Sequence, residues 1–135
     1  MATLQTASYD GIAKEVFEKQ IGFSTAVRVG PVIHCAGQGG WEAKSGDFAQ
    51  GQVAQIDKAF ENVELALKAT GGTGWDQVYK IRSYHIPLNK EAEHAMTRNF
   101  RKYMKHLPVW TCVGVTRLGE DDMLVEIEVE AYDPK

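Results

Sequence analysis

Glu126, Glu128 and Glu130 alternate with Val125, Ile127, Val129 and Ala131 near the end of the chain. Side chains along a strand point to opposite faces in turn, so this spacing sets three carboxylates on one face and an aliphatic row on the other. In open water such a row only solvates a surface. A carboxylate held in a partly dry cleft is different, because burial disfavours its charged form and raises its pKa, and it can then hold or deprotonate a water molecule. A glutamate such as Glu126 is therefore the best candidate for acid–base chemistry.

The other reactive groups carry weaker signals. Cys35 and Cys112 each lie in an apolar run without CxxC spacing, which favours two buried reduced thiols over a disulfide. No histidine stands beside Cys112 in sequence, and an unassisted thiol in a strand is ordinarily inert. His34, His85, His94 and His106 show neither HxxxH nor HExxH spacing, so no metal site is expected. The glycine loop GQGG, 37–40, follows a strand but lacks GxGxxG and GK[ST]; its bare amides could meet a ligand or simply make a turn. Trp110 opens the run VWTCVGV, where an indole offers a flat apolar face and one N–H donor.

These groups need elements to position them. TAVRV and VIHCA are short β-branched runs split by Gly30-Pro31, a turn between antiparallel strands. Before them, TLQTAS reads as a short edge strand and AKEVFEKQIG as a helical turn packing Val16, Phe17 and Ile21. Val53, Ile56, Phe60, Val63 and Leu67 recur at spacings of 3 and 4 and form one stripe on a helix of about five turns. Asp47 with Gln50 has capping-box spacing, and Gly71-Gly72 stops the helix. VYKIRSYHI, 78–86, alternates as a strand and ends at Pro87. A second helix fits 89–105, with Ala92, Met96, Phe100 and Tyr103 on its stripe, acidic residues at its start and basic ones at its end. Strands at 109–115 and 123–132 complete the order. Both helices are one-sided, which predicts an α+β layer with two helices on one face of a mixed sheet. The other face, mixing Tyr84, Lys80 and Arg82 with Trp110, Cys112 and the glutamates, suggests an interface with clefts and hence self-association.

The whole chain bounds these readings. Its 135 residues fit one domain, 1–135, and a composition of 44% apolar and 24% charged residues is that of a globular protein. A net charge of −3 disfavours binding along a phosphate backbone, so no nucleic-acid partner is expected. MATLQTASYD lacks the layout of a signal peptide, and no apolar stretch approaches the ~18 residues of a membrane span, so a cytoplasmic protein is expected.

VRVGPVIHCAGQ, the helix ending in KATGG, VYKIRSYHI and LPVWTCVGV…MLVEIEVEA together resemble the Rid (reactive intermediate deaminase, or YjgF) family over roughly residues 23–131. The resemblance implies a chorismate-mutase-like α+β fold, assembled as a homotrimer whose sheets make a central barrel with three clefts at subunit boundaries. It implies hydrolysis of enamines and imines to 2-keto acids and ammonia, without a cofactor. Carried over by position, Glu126 matches the cleft glutamate that positions water, Cys112 a cysteine of several members, and Gly37 the turn after the second strand. Phe23 stands in place of a tyrosine and Thr97 in place of an asparagine on the second helix. Pro108-Val109-Trp110-Thr111 replaces a Pro-Ala-Arg-Ser-type segment whose arginine grips the substrate carboxylate.

An indole cannot substitute for that guanidinium. It suits stacking on a neutral, cyclic or cationic ligand, or else fills the cleft and seals the trimer. Arg28, Arg82 and Arg117 are the candidates for a displaced positive charge. Two further functions stay open beside C=N hydrolysis: a non-catalytic small-molecule-binding or regulatory trimer, and ribonuclease activity, which the acidic composition disfavours.

Overall fold

The structure, a computed structural model, describes residues 4–134. Six strands form one sheet: β1 Gln5–Ala7, β2 Ala26–Val29, β3 Val32–Gln38, β4 Val78–His85, β5 Val109–Gly114 and β6 Val125–Tyr132. Their order across the sheet is β1-β2-β3-β6-β4-β5, antiparallel throughout except for the parallel pair β4 and β5. The last strand in the chain thus lies at the centre and joins β3 to β4. Two α-helices, α1 Gln52–Ala69 and α2 Lys90–Tyr103, cover one face. This is the expected α+β mixed sheet.

The two periodicities explain the layering. On α1 the stripe Ile56, Phe60, Val63 and Leu67 is fully buried, and in β6 Val125, Ile127, Val129 and Ala131 are buried beneath it while the glutamates are only half-buried. Burying such aliphatic side chains stabilises the fold by about 1.5–3 kcal/mol each. Aromatic rings fill the gap between the helices: Phe60 stacks on Trp75 at 4.5 Å between centroids and on Tyr103 at 5.7 Å. The crossover β4–α2–β5 makes the parallel pair. Asn89 caps α2 through its Oδ1, which accepts from the Ala92 amide at 2.8 Å.

Two local expectations are corrected. The cap of α1 is Gly51, at φ 92°, and neither Asp47 nor Gln50 caps it, because Trp41 and Phe48 pair as a short bridge that draws 47–50 into an extended loop. The segment Ala13–Ile21 is a π-helix whose wider turn buries Ala13 and Phe17 but leaves Ile21 exposed. In the glycine loop, left open between ligand contact and turn-making, the observed role of Gly40 is close packing on α1. A Cβ on Gly40 would stand 2.4 Å from the Gln55 Cα of α1, and Asn62 of the same helix donates to the carbonyls of Gly39 and Trp41 at 2.9 and 2.8 Å. These glycines bring loop and helix backbones together.

The end of β6 is tied back to β2. The Arg28 guanidinium pairs with the Asp133 carboxylate at 2.5 Å and also donates to the Asp133 and Thr70 carbonyls, the latter at the end of α1. Both side chains are largely buried.

Candidate functional site

The face left bare by the helices carries the glutamates. In register across β6 and β4, Glu126 stands opposite Tyr84, Glu128 opposite Arg82 and Glu130 opposite Lys80. The Tyr84 hydroxyl donates to Glu128, the Tyr79 hydroxyl donates to Glu130 at 3.0 Å, and Arg82 lies 3.9 Å from Glu130. Glu128 and Glu130 therefore have partners. Among the described residues the Glu126 carboxylate has no hydrogen-bond partner; what it has is room, because a Cβ on Gly37 would fall 1.9 Å from its Oε1. Partial burial pushes the Glu126 carboxyl above the ordinary glutamate value, and the neighbouring Glu128 charge adds to the shift. Tyr84 is raised as well, chiefly by its hydrogen bond to Glu128.

Gly37 is not in a turn. It lies inside β3, where the ladder slips by one residue: Cys35 faces Val129, but Gln38 faces Ile127. This β-bulge leaves Gly37 beside the glutamate.

Trp110 and Cys112 lie on the other face. Their register partners in β4 are Ile81 and Ser83, both buried under the helices, so the indole and thiol point towards the helix layer and not towards the glutamates. The expected mixed face is thus divided: phenol, cations and carboxylates on the open side, indole and thiol on the covered side. The parallel register of β5 could not be fixed from alternation alone. Trp110 meets the Phe100 ring edge-on at 5.0 Å, and its Nε1–H donates to the Ser83 hydroxyl at 2.9 Å. That hydroxyl also engages His85 Nε2 at 2.8 Å.

His85 is fully buried, its Nδ1 has no partner among the described residues, and burial holds its pKa below the ordinary value. Cys112 is half-buried, and Cys35 is buried; both are free. Burial raises the Cys112 pKa, with the Ser83 hydroxyl pulling the other way, so the thiol stays protonated at neutral pH. The serine and histidine beside it were missed in sequence. Their signal was there: two polar residues at alternate positions of β4, on the parity of Ile81.

Of the remaining candidates, Phe23 stacks on Phe17 at 4.9 Å at the entrance to β2, and Thr97 lies on α2 with its hydroxyl donating to the His94 carbonyl. The three arginines are engaged: Arg28 with Asp133, Arg82 near Glu130 and Arg117 with Asp121. Among the described residues no group of three or more histidine, cysteine, aspartate and glutamate side chains could hold a metal. Among the described residues no helix is long and apolar enough to cross a membrane.

One chain therefore holds two separate groups of candidate residues, Glu126 with Gly37 on the open face and Trp110 with Cys112 at the edge strand. A family model described as endoribonuclease L-PSP matches residues 14–133. The chain belongs to the Rid/YjgF/YER057c/UK114 family. Among Rid relatives, the RutC family protein YjgH of Escherichia coli is 33% identical over 117 residues, 84% of each chain. A RutC family protein of Pyrococcus abyssi is 32% identical over 129 residues, covering 90% of this chain and 98% of its own. A solved structure of a YjgF/YER057c/UK114 member from Mycobacterium tuberculosis superposes with a TM-score of 0.76 at 30% identity, covering 96% of this chain and 99% of that one.

Proposed function

We propose that this Rid-family protein hydrolyses the C=N bond of a small enamine or imine, without a cofactor, at clefts between the subunits of a homotrimer. In that assembly the bare sheet faces meet around a central barrel, and the Glu126 half-site of one copy is completed by the edge strand of another. The supporting observation is Glu126 itself, a half-buried carboxylate with a raised pKa in space that Gly37 leaves free. A base poised closer to neutral pH transfers protons more effectively in both directions.

The chemistry follows from that group. The ionised Glu126 takes a proton from water as the oxygen adds to the imine carbon, and passes it to the nitrogen, which receives the C=N electron pair. It then takes the hydroxyl proton of the resulting carbinolamine and gives it to the nitrogen as the C–N bond breaks and the C=O bond forms. The products are a carbonyl compound and ammonia, with one water consumed. Cys112, a protonated thiol, takes no covalent part, and its strand backbone orients the substrate beside Phe23, Thr97 and Trp110.

A second reading, a non-catalytic ligand-binding or regulatory trimer, is favoured by Trp110. The indole N–H is already given to Ser83 and Arg28 is held in a buried pair with Asp133, so neither supplies a fork for a substrate carboxylate at this position. Ribonuclease activity is disfavoured by three glutamates on the open face. Incubation with freshly generated 2-aminoacrylate and with carboxylate-free imines separates the readings. Turnover that disappears in Glu126→Gln, with the assembly intact by sedimentation, is the expected result. Binding without turnover of either class would leave the regulatory reading.

A further inference from the structure

The bulge in β3 needs something to hold its shape. Between Cys35 and Gln38, three steps along β3 match two along β6, so backbone groups of the extra residue leave the ladder. The Gln38 side chain recovers two of them, donating Nε2 to the Ala36 carbonyl at 3.2 Å and to the Gly37 carbonyl at 3.3 Å. A flipped amide would turn its oxygen against those carbonyls, so the orientation of Gln38 matters.

That orientation is set from the core. The Tyr9 hydroxyl donates to Gln38 Oε1 at 2.6 Å, and the Trp41 Nε1–H donates to the Tyr9 oxygen at 3.0 Å. A phenol has one proton; because an indole can only donate, the tyrosine proton is committed to Gln38. Tyr9, Trp41 and Gln38 are all buried, at 5%, 6% and 0% exposure, so no water competes. The donors run one way, from Trp41 through Tyr9 and Gln38 to the bulge carbonyls. Gln38 shares its parity with Ile127, under the helices, whereas Glu126 lies on the open face. The network reaches the glutamate only through the backbone of β3.

We infer that Tyr9 and Trp41, acting through Gln38, are positioning residues that hold the Gly37 bulge against the Glu126 carboxylate and fix where it points. The effect on turnover rests on the proposed role of Glu126; the effect on the carboxylate's place does not. The other groups facing Glu126, Glu128 on its own strand and Tyr84 on β4, are untouched by changes at Tyr9 or Trp41.

The test is the titration of the Glu126 carboxyl by carbon-13 NMR in the full chain, assigned by its loss in Glu126→Gln, together with imine turnover. Tyr9→Phe keeps the ring and removes both hydrogen bonds. Trp41→Phe removes one donor and keeps an aromatic ring against Phe17 and Phe48. Gln38→Met keeps the shape and removes the amide donor from both carbonyls, leaving only the weak Cys35 thiol donor at 3.3 Å on Ala36. In each folded variant the Glu126 midpoint is expected to fall towards the ordinary glutamate value as water reaches the carboxylate, and turnover to drop by about tenfold or more. Tyr9→Phe combined with Gln38→Met is expected to do no more than Gln38→Met alone, as for one shared path. An unchanged midpoint in folded Tyr9→Phe and Trp41→Phe, or additive shifts in the double variant, overturns the inference. A shifted midpoint with unchanged turnover upholds it and removes Glu126 from the reaction. If Gln38→Met does not fold, Trp41→Phe and Tyr9→Phe carry the same decision.

Discussion

Glu126 and Gly37 share one volume: the carboxylate oxygen lies 1.9 Å from the position a Cβ would take on the glycine. Two atoms cannot occupy that space, so the side chain at 37 decides where the carboxylate at 126 goes. Gly37→Ala is expected to cost about 1–3 kcal/mol in stability, as for an overpacked site, and to abolish turnover by expelling Glu126 into water. Chemical denaturation should show a smaller cost when the alanine is introduced into Glu126→Ala, where the clash is gone.

The raised Glu126 carboxyl fixes the sign of a pH effect. Its folded pKa lies above its unfolded value, so its contribution to stability is fully present below the unfolded pKa and is lost as pH rises through the folded one. Glu126→Gln cannot ionise. It is expected to be more stable than the parent at pH 7, with the difference shrinking as pH falls through the raised folded pKa and gone below the unfolded value of about 4.3 in thermal melts across the range.

His85 works in the opposite direction. Its folded pKa is depressed by burial, so its contribution to stability is present above the unfolded value of 6.5 and is lost as pH falls through the folded pKa. His85→Gln keeps a donor for the Ser83 hydroxyl and removes the titration. Melts at pH 5.5 and pH 7.5 should differ less for this variant than for the parent.

Trp110 can be exchanged to ask what it excludes. Trp110→Arg forfeits the edge-on contact with Phe100 and the donation to Ser83, and should lower stability by about 1–3 kcal/mol. A guanidinium at the edge strand would also offer a fork to a carboxylate. Under the proposed function, kcat/KM for 2-imino acids should rise by about tenfold, with little change for carboxylate-free imines.

The Arg28–Asp133 pair is a stability test remote from the glutamates. Arg28→Ala takes the cation from a largely buried carboxylate that keeps the Gln77 amide, and is expected to cost about 3 kcal/mol in urea unfolding. The loss also frees the Thr70 carbonyl at the end of α1.

Much of this architecture was legible because two periodicities carry it. The stripe from Val53 to Leu67 and the alternation from Val125 to Ala131 each bury one side only, and both elements formed where those patterns lie. Trp110 and Cys112 defeated the same reasoning. Alternation tells which residues of β5 share a side; it does not tell which side faces the helices, and only the register with Ile81 and Ser83 does so. Gly37 was legible as a special residue but not as a bulge, since the extra residue is defined by a partner strand some 90 positions away. The link from Tyr9 to Gln38 is hidden for a similar reason: it spans 29 residues and passes through the core.

The position of β6 has a consequence for how the chain is made. Strands β1 to β3 and the pair β4 and β5 emerge from a ribosome as two unjoined pieces, each with an unsatisfied inner border. Only the sixth strand to be synthesised closes the gap, pairing with residues translated about 90 codons earlier. Closure of the sheet is thereby deferred until β6 has been translated, and a nascent chain halted before Val125 presents two sticky fragments to chaperones and proteases instead of a shortened native protein.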